Sequence, residues 1–108
     1  MRKINLVVRV PDNIAKACEL AREPGGCKYI DEDGYPCCVI GQLYALEGFD
    51  TNDLKDVNKF SSYIESENMF LLSDKYGKER LSDLQSYWDD SNETTNDELL
   101  LYAAKLWL

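Results

Sequence analysis

The sequence predicts a single α+β domain that is predominantly helical, with four or five short helices and a small strand or hairpin element near the N-terminus. Three observations predict this fold. The chain has 108 residues, which suffices for one hydrophobic core. Apolar residues recur at helical spacing in several segments, and one β-branched run lies near the N-terminus. The hydrophobic fraction of 44% is typical of a packed interior, so residues 1–108 are interpreted as one domain.

The N-terminal part of the chain predicts a strand followed by a helix. Residues 4–10, INLVVRV, are rich in β-branched types and stop at Pro11. Asp12 is predicted to cap a helix that continues to about Glu23. The apolar stripe of that helix consists of Ile14, Ala17, Cys18 and Ala21. A hairpin is predicted next, with CKYI at 27–30, the turn DEDG at 31–34 and then Tyr35.

The stretch PCCVIGQLYALEG predicts the next helix. Pro36 suits a first helical turn, because a proline there loses no hydrogen bond. The helix is expected to run from about Cys37 to Glu47 and to end at Gly48. Three small residues at helical spacing, Cys37, Gly41 and Ala45, indicate a ridge where another segment approaches closely. Residues 49–58 are expected to form a loop with one helical turn.

Three further helices are predicted in the second half of the chain. The first spans 57 to about 72 and carries the apolar positions Val57, Phe60, Ile64 and Leu71. Gly77 marks a break, and a helix over 78–89 then carries Leu81, Leu84 and Trp88. Thr95 and Glu98 match a capping box for the last helix. This helix is apolar on nearly all sides, which predicts burial either in the core or against another chain.

Charge is distributed unevenly along the chain. The net charge is −8, but residues 1–30 hold six basic and three acidic side chains, whereas residues 31–108 hold six basic and seventeen acidic side chains. Such an excess repels phosphate backbones and argues against direct nucleic-acid binding. Two interpretations remain open: a solvated surface that keeps the protein soluble, or an acidic face complementary to a basic groove on another protein.

The four cysteines do not have the spacing of a typical zinc or redox site. Eight, nine and zero residues separate Cys18, Cys27, Cys37 and Cys38. Zinc knuckles have two to four residues between their cysteines, and a thioredoxin-like redox pair has two. The chain has no histidine, so the commonest zinc ligand and general base are missing. The cysteines are therefore predicted to pack as small apolar side chains, and no cofactor is expected.

The remaining motifs do not indicate catalysis or a membrane protein. The DEDG turn lacks the first and last ligands of a calcium-binding loop. Carboxylate pairs such as Asp89 and Asp90 lie in a polar stretch where nothing would raise a pKa for acid catalysis. No apolar run approaches the length of a membrane span, and the N-terminal apolar run is too short for a secretion signal. We therefore expect a non-enzymatic, cytoplasmic protein.

The run GYPCCVIGQLYALEG resembles a pattern in small bacteriophage proteins that have no assigned activity. The matching residues of its first part are Gly34, Cys37, Cys38, Gly41 and Leu43. A second part, a leucine-rich helix that ends in a polar pair, is matched by Leu81, Leu84, Trp88, Asp89 and Asp90. The resemblance covers about half of the chain. It implies a phage or prophage accessory protein, which would act in the cytoplasm of the host cell.

The expected function is therefore binding to another protein and modulation or inhibition of it. A basic host protein, such as a defence or nucleic-acid-handling factor, is the expected target. The predicted contact residues are Asp31, Glu32, Asp33, Asp83, Asp89, Asp90, Glu93, Leu100, Tyr102 and Trp107. Two alternatives stay open. One is a self-assembling homodimer with a seam around Trp107, and the other is a zinc or thiol protein based on the cysteines.

Overall fold

The structure, a computed structural model, describes residues 10–25, 29–54 and 67–108, and this part of the chain is predominantly helical. Its helices are α1 (Asp12–Leu20), α2 (Val39–Leu46), a short 3₁₀ helix (Thr51–Leu54), α3 (Glu67–Tyr76), α4 (Lys78–Asp89) and α5 (Asn96–Leu106). The 3₁₀ helix is the single helical turn predicted in the loop after Gly48. The helical class predicted from the sequence is therefore confirmed for the described residues.

The core lies where α1 packs against α2 and α5, and where α4 packs against α2, α3 and α5. Helices α1 and α5 run in opposite directions, because Asn96 bonds to the last turn of α1 while Trp107 lies near Pro11. The largest fully buried side chains are Ile14, Ile40, Leu43, Tyr44, Leu54, Leu72, Leu81, Leu84, Trp88 and Leu99. Every residue of the two stripes predicted for α1 and α4 is buried.

The predicted strand element is only partly within the described residues. Residues 1–9 and 26–28, which carry most of the predicted strands, lie outside them. Within the described chain, Ile30 and Pro36 form an isolated antiparallel bridge around the turn at 31–34, and no longer strand is present there. Of the predicted hairpin, the described residues therefore contain one bridge and its turn.

Two predicted helix starts are wrong by a few residues. Pro11 occupies the N-cap position of α1, so Asp12 is already in the first turn. Pro36 lies in the bridge and not in a helix, and α2 begins at Val39 with Cys38 at its N-cap. The carbonyl oxygen of Pro36 instead accepts hydrogen bonds from Arg22 and Gln42, which holds this proline ahead of the helix.

Of the predicted ridge of small residues, Cys37 lies before α2, and the close approach is made at Gly41. A Cβ atom at Gly41 would overlap the backbone carbonyl of Tyr29. The segment before the turn therefore packs directly on the backbone of α2. As predicted, the helix stops just before Gly48, whose φ of 87° favours glycine.

Helix α3 presents a different face to the core from the one predicted. Most of the helix predicted over 57–72 lies outside the described residues, and the described helix extends to Tyr76. Leu71, predicted as an apolar core position, is exposed, whereas Leu72 and Tyr76 are buried. These two are four residues apart and share one helix face. Gly77, with a φ of 92°, breaks the chain between α3 and α4 as predicted.

Helix α5 is buried on one face rather than on nearly all sides. Its capping box is present as predicted, with Thr95 accepting from the Glu98 backbone and Glu98 accepting from the Thr95 backbone. Leu99, Ala103 and Ala104 are buried, whereas Leu101 is 48% exposed. Helix α5 therefore carries more apolar residues than the core buries.

Candidate functional site

A short loop after α1 brings separate parts of the chain together. The backbone N–H of Arg22 donates to the carbonyl of Cys37 at 2.7 Å. The Trp88 indole N–H donates to the carbonyl of Arg22 at 3.0 Å, and the N–H of Gly25 donates to the carbonyl of Trp88 at 2.9 Å. The end of α1, the start of α2 and the end of α4 therefore meet at this loop.

The acidic turn DEDG is held against the same loop by an ion pair. One Asp31 carboxylate oxygen lies 2.9 Å from the Arg22 guanidinium. The other accepts hydrogen bonds from the backbone N–H groups of Asp33 and Tyr35. The Arg22 hydrogen bond, followed by the one from Tyr35, holds the pKa of Asp31 below its usual value. Asp31 therefore organises the turn, while Glu32 and Asp33 are exposed to solvent.

The linker between α4 and α5 lies beside the loop as well. A Cβ atom at Gly25 would be 2.9 Å from the backbone nitrogen of Asn92, so the two backbones are in close contact. The side-chain amide of Asn96 donates to the carbonyls of Cys18 and Ala21 at 2.8 Å. These contacts place the start of α5 at the end of α1.

We call residues 19–25, 31–36 and 89–98 the acidic end of the molecule. Its described residues contain ten carboxylates and one cation, Arg22. The carboxylates are Glu19, Glu23, Asp31, Glu32, Asp33, Asp89, Asp90, Glu93, Asp97 and Glu98. The Arg22 guanidinium is already paired with Asp31, so it does not neutralise the other carboxylates. Most of those carboxylates are exposed to solvent. Charges this close add their fields, since the Debye length is about 10 Å at moderate ionic strength.

The structure brings together six of the seven predicted acidic contact residues: Asp31, Glu32, Asp33, Asp89, Asp90 and Glu93. Asp83 is exposed midway along α4 and lies outside this group. Asp89 is half-buried, and one of its carboxylate oxygens accepts a hydrogen bond from Gln85 at 2.9 Å. That oxygen is therefore already bonded within the fold. The more exposed members are Glu32, Asp33, Asp90 and Glu93.

The three predicted apolar contact residues are only partly exposed and have partners within the fold. Leu100 packs against the core. The ring of Tyr102 stacks on that of Tyr87, with centroids 4.2 Å apart and planes within 4°. Trp107 lies under the Arg80 guanidinium, which is 5.3 Å from the ring centroid. These side chains therefore hold α5 in place, and they are not part of the acidic end.

The three described cysteines are buried thiols. Cys18, Cys37 and Cys38 are each at most 1% exposed, and Cys27 lies outside the described residues. Burial raises the pKa of each of the three to about 12, and for Cys37 a hydrogen bond to Glu23 adds to the effect. Among the described residues, no group of three or more potential metal ligands comes together.

A second polar cluster was not predicted from the sequence. The Glu47 carboxylate at the end of α2 accepts hydrogen bonds from Asn13 and Tyr76 at 2.6 Å and pairs with Lys75 at 2.9 Å. Burial alone would raise its pKa, but these donors outweigh burial and hold the pKa below its usual value. The sequence gives no signal for the cluster, because its members come from three helices.

The Glu47 cluster adjoins a shallow cleft of about 530 Å³. The cleft is lined by Pro11, Asp12, Asn13, Lys75, Tyr76 and Trp107. It lies at the opposite end of α1 from the acidic end. The neighbouring Glu47 carboxylate already accepts hydrogen bonds from three donors.

Comparison of the chain with protein-family models, curated proteins and solved structures gives no match. The resemblance to bacteriophage proteins therefore stays a prediction. None of the helices in the described part of the chain combines the length and apolar character that crossing a bilayer requires.

Proposed function

We propose that this protein is a non-enzymatic accessory protein that binds another protein through its acidic end and modulates that partner. The observation that carries the proposal is the collection of ten carboxylates with one paired cation on three neighbouring segments. An electrostatic surface of this kind accelerates association with a basic partner and disfavours acidic ones.

The arrangement of the acidic end suits the attraction of a cationic partner. The Arg22 guanidinium and two backbone N–H groups keep Asp31 ionised at neutral pH. Glu32, Asp33 and Asp90 are exposed, so their side chains are accessible to a partner. Accessible carboxylates on one side of the molecule attract a cationic partner.

The proposed partner is a basic protein, and the resemblance to bacteriophage proteins favours a host factor. A defence or nucleic-acid-handling factor has a groove of lysines and arginines that normally faces phosphates. A cluster of carboxylates on a rigid scaffold meets the same cations. The proposed outcome for the partner is inhibition, because an occupied groove no longer holds nucleic acid.

A capture experiment tests the proposal. The protein is immobilised and exposed to bacterial lysate at low and moderate salt, beside a variant with Asp33→Asn, Asp90→Asn and Glu93→Gln. The control variant carries Asp74→Asn, Asp83→Asn and Glu79→Gln, three exposed acids outside the acidic end. Both variants change the net charge equally.

We expect the wild-type protein and the control variant to retain a basic protein that the acidic-end variant loses. Capture should weaken as salt rises, because the attraction is screened. Recovery of no protein at either salt concentration contradicts the proposal, and so does an equal loss of capture in the two variants.

A second candidate function, self-association through α5, is favoured by one observation. Leu101 on this helix and Leu108 just after it are 48% and 65% exposed, so this part of the chain keeps uncovered apolar surface in the monomer. Light scattering on Leu101→Ser and Leu108→Ser variants tests this function, since removal of the helix would also remove buried Leu99. If the protein is monomeric both with and without the substitutions, it does not self-associate through α5.

A further inference from the structure

Two apolar side chains are exposed within the acidic end. Leu20 is 47% exposed at the end of α1, and Tyr35 is 66% exposed after the acidic turn. Their backbone segments are neighbours, because the amide nitrogen of Gln42 donates to the carbonyls of both Leu20 and Pro36. An aliphatic and an aromatic side chain are thus presented among carboxylates.

The position of Leu20 follows from the register of α1. Ile14, Ala17, Cys18 and Ala21 face the core, so Leu20 lies off that stripe. An amphipathic helix carries polar residues on its solvent-facing side, and Leu20 departs from that pattern. Leu20 therefore adds nothing to the core of the domain at this position.

The backbone of Tyr35 is fixed by two hydrogen bonds to Asp31. Its N–H donates to the Asp31 carboxylate at 2.9 Å, and its carbonyl accepts from the Asp31 N–H at 2.8 Å. The turn is itself tied to Arg22 by the ion pair. An aromatic ring on a rigid turn loses little backbone entropy when a partner covers it. Tyrosine is also among the residues that most often dominate binding energy.

We infer that the acidic end recognises a basic segment that also carries an apolar side chain, which packs against Leu20 and Tyr35. The inference rests on the proposed function and adds the partner's chemistry to it. Apolar contact in the centre and charge at the rim is the usual anatomy of a protein interface. The surrounding carboxylates of Glu19, Glu32 and Asp33 are complementary to lysines and arginines that flank the apolar residue. Charge complementarity therefore selects a basic partner.

Two synthetic peptides of equal charge test the inference by fluorescence anisotropy. One alternates lysine with serine, and the other replaces two central serines with leucine and phenylalanine. We expect both peptides to bind the full chain at low salt, and the apolar peptide to bind at least tenfold more tightly. Leu20→Ser and Tyr35→Ser should remove this advantage, and the double variant should bind the two peptides equally.

Leu71→Ser is the matched control, because Leu71 is 49% exposed, close to the value for Leu20, but lies on α3. This variant should keep the full advantage of the apolar peptide, and circular dichroism should show all variants folded. An advantage that survives in the double variant, or that is lost in the Leu71 variant, overturns the inference. Equal, salt-sensitive binding of both peptides to wild type overturns the inference and leaves the proposed function standing. Binding of neither peptide contradicts both.

Discussion

Gly41 allows a close backbone contact with Tyr29. Replacing a glycine within a helix by alanine ordinarily stabilises a protein by about 1 kcal/mol. Here the added Cβ would overlap the carbonyl of Tyr29, and forcing extra atoms into a packed site costs about 1–3 kcal/mol. We expect the steric overlap to outweigh the higher helix propensity of alanine, so Gly41→Ala should lower the free energy of unfolding measured in guanidinium. A stabilised variant would show that the Tyr29 segment does not pack there.

The buried cysteines predict low thiol reactivity. With a pKa of about 12 in place of 9.0, Cys18, Cys37 and Cys38 have roughly a thousandfold less thiolate at mildly alkaline pH than free cysteine. In a Cys27→Ser background, we expect iodoacetamide to label the native protein far more slowly than the unfolded protein. Mass spectrometry counts the labelled sites. Rapid labelling of any of the three in the native protein contradicts their assignment as packing residues.

The Glu47 cluster predicts a defined pH dependence. Because the folded-state pKa of Glu47 lies below its usual 4.5, its contribution to stability is present above that value and is lost as pH falls through the folded pKa. At neutral pH, Glu47→Gln should cost about 2 kcal/mol, typical of hydrogen bonds to a charged group. The difference in free energy of unfolding between the variant and the wild type should become smaller as pH falls below 4.5. A difference in unfolding free energy that stays constant or increases in acid would show that the Glu47 carboxylate is not held by these donors.

At the scale of elements, one side chain joins the end of α1 to the start of α5. Asn96 donates to the carbonyls of Cys18 and Ala21, which a helix end leaves without intrahelical partners. We expect Asn96→Ala to lower the free energy of unfolding by about 2 kcal/mol, because these carbonyls lose their donor. The neighbouring substitution Asp97→Ala, at an exposed position, should cost about 0.5 kcal/mol. Equal costs for the two in a denaturation experiment would contradict the role of Asn96.

The elements themselves were largely predictable from local sequence. The α4 stripe, the capping box at Thr95 and the stops at Gly48 and Gly77 all follow from spacing and backbone preference. The predictions were wrong where contacts with distant parts of the chain determine the local structure. Pro36 is held in a bridge by partners from elsewhere in the chain, and the spacing of apolar residues could not settle whether Leu71 or its neighbour faces the core.

At the scale of the whole molecule, the acidic residues were recognised from the sequence, but their grouping was not. Asp31 and Asp90 are far apart in the chain, and they share one end only because the loop at Arg22 contacts both segments. Sequence order likewise gave no reason to separate Asp83 or Trp107 from this group. Exposed Leu20 could have been predicted, since it lies off the apolar stripe of α1.

The two tryptophans report on opposite ends of the molecule and allow the most direct test of the acidic end as the docking surface. The Trp88 indole bonds to the Arg22 carbonyl beneath the acidic end, whereas Trp107 lies beside Pro11 and Arg80. The measurement is an NMR titration with an oligolysine peptide at low salt. We predict shifts of the Trp88 indole N–H and of the Asp33 and Asp90 amides, with the Trp107 indole unchanged. Equal shifts at both indoles, or no shift at either, would contradict this account.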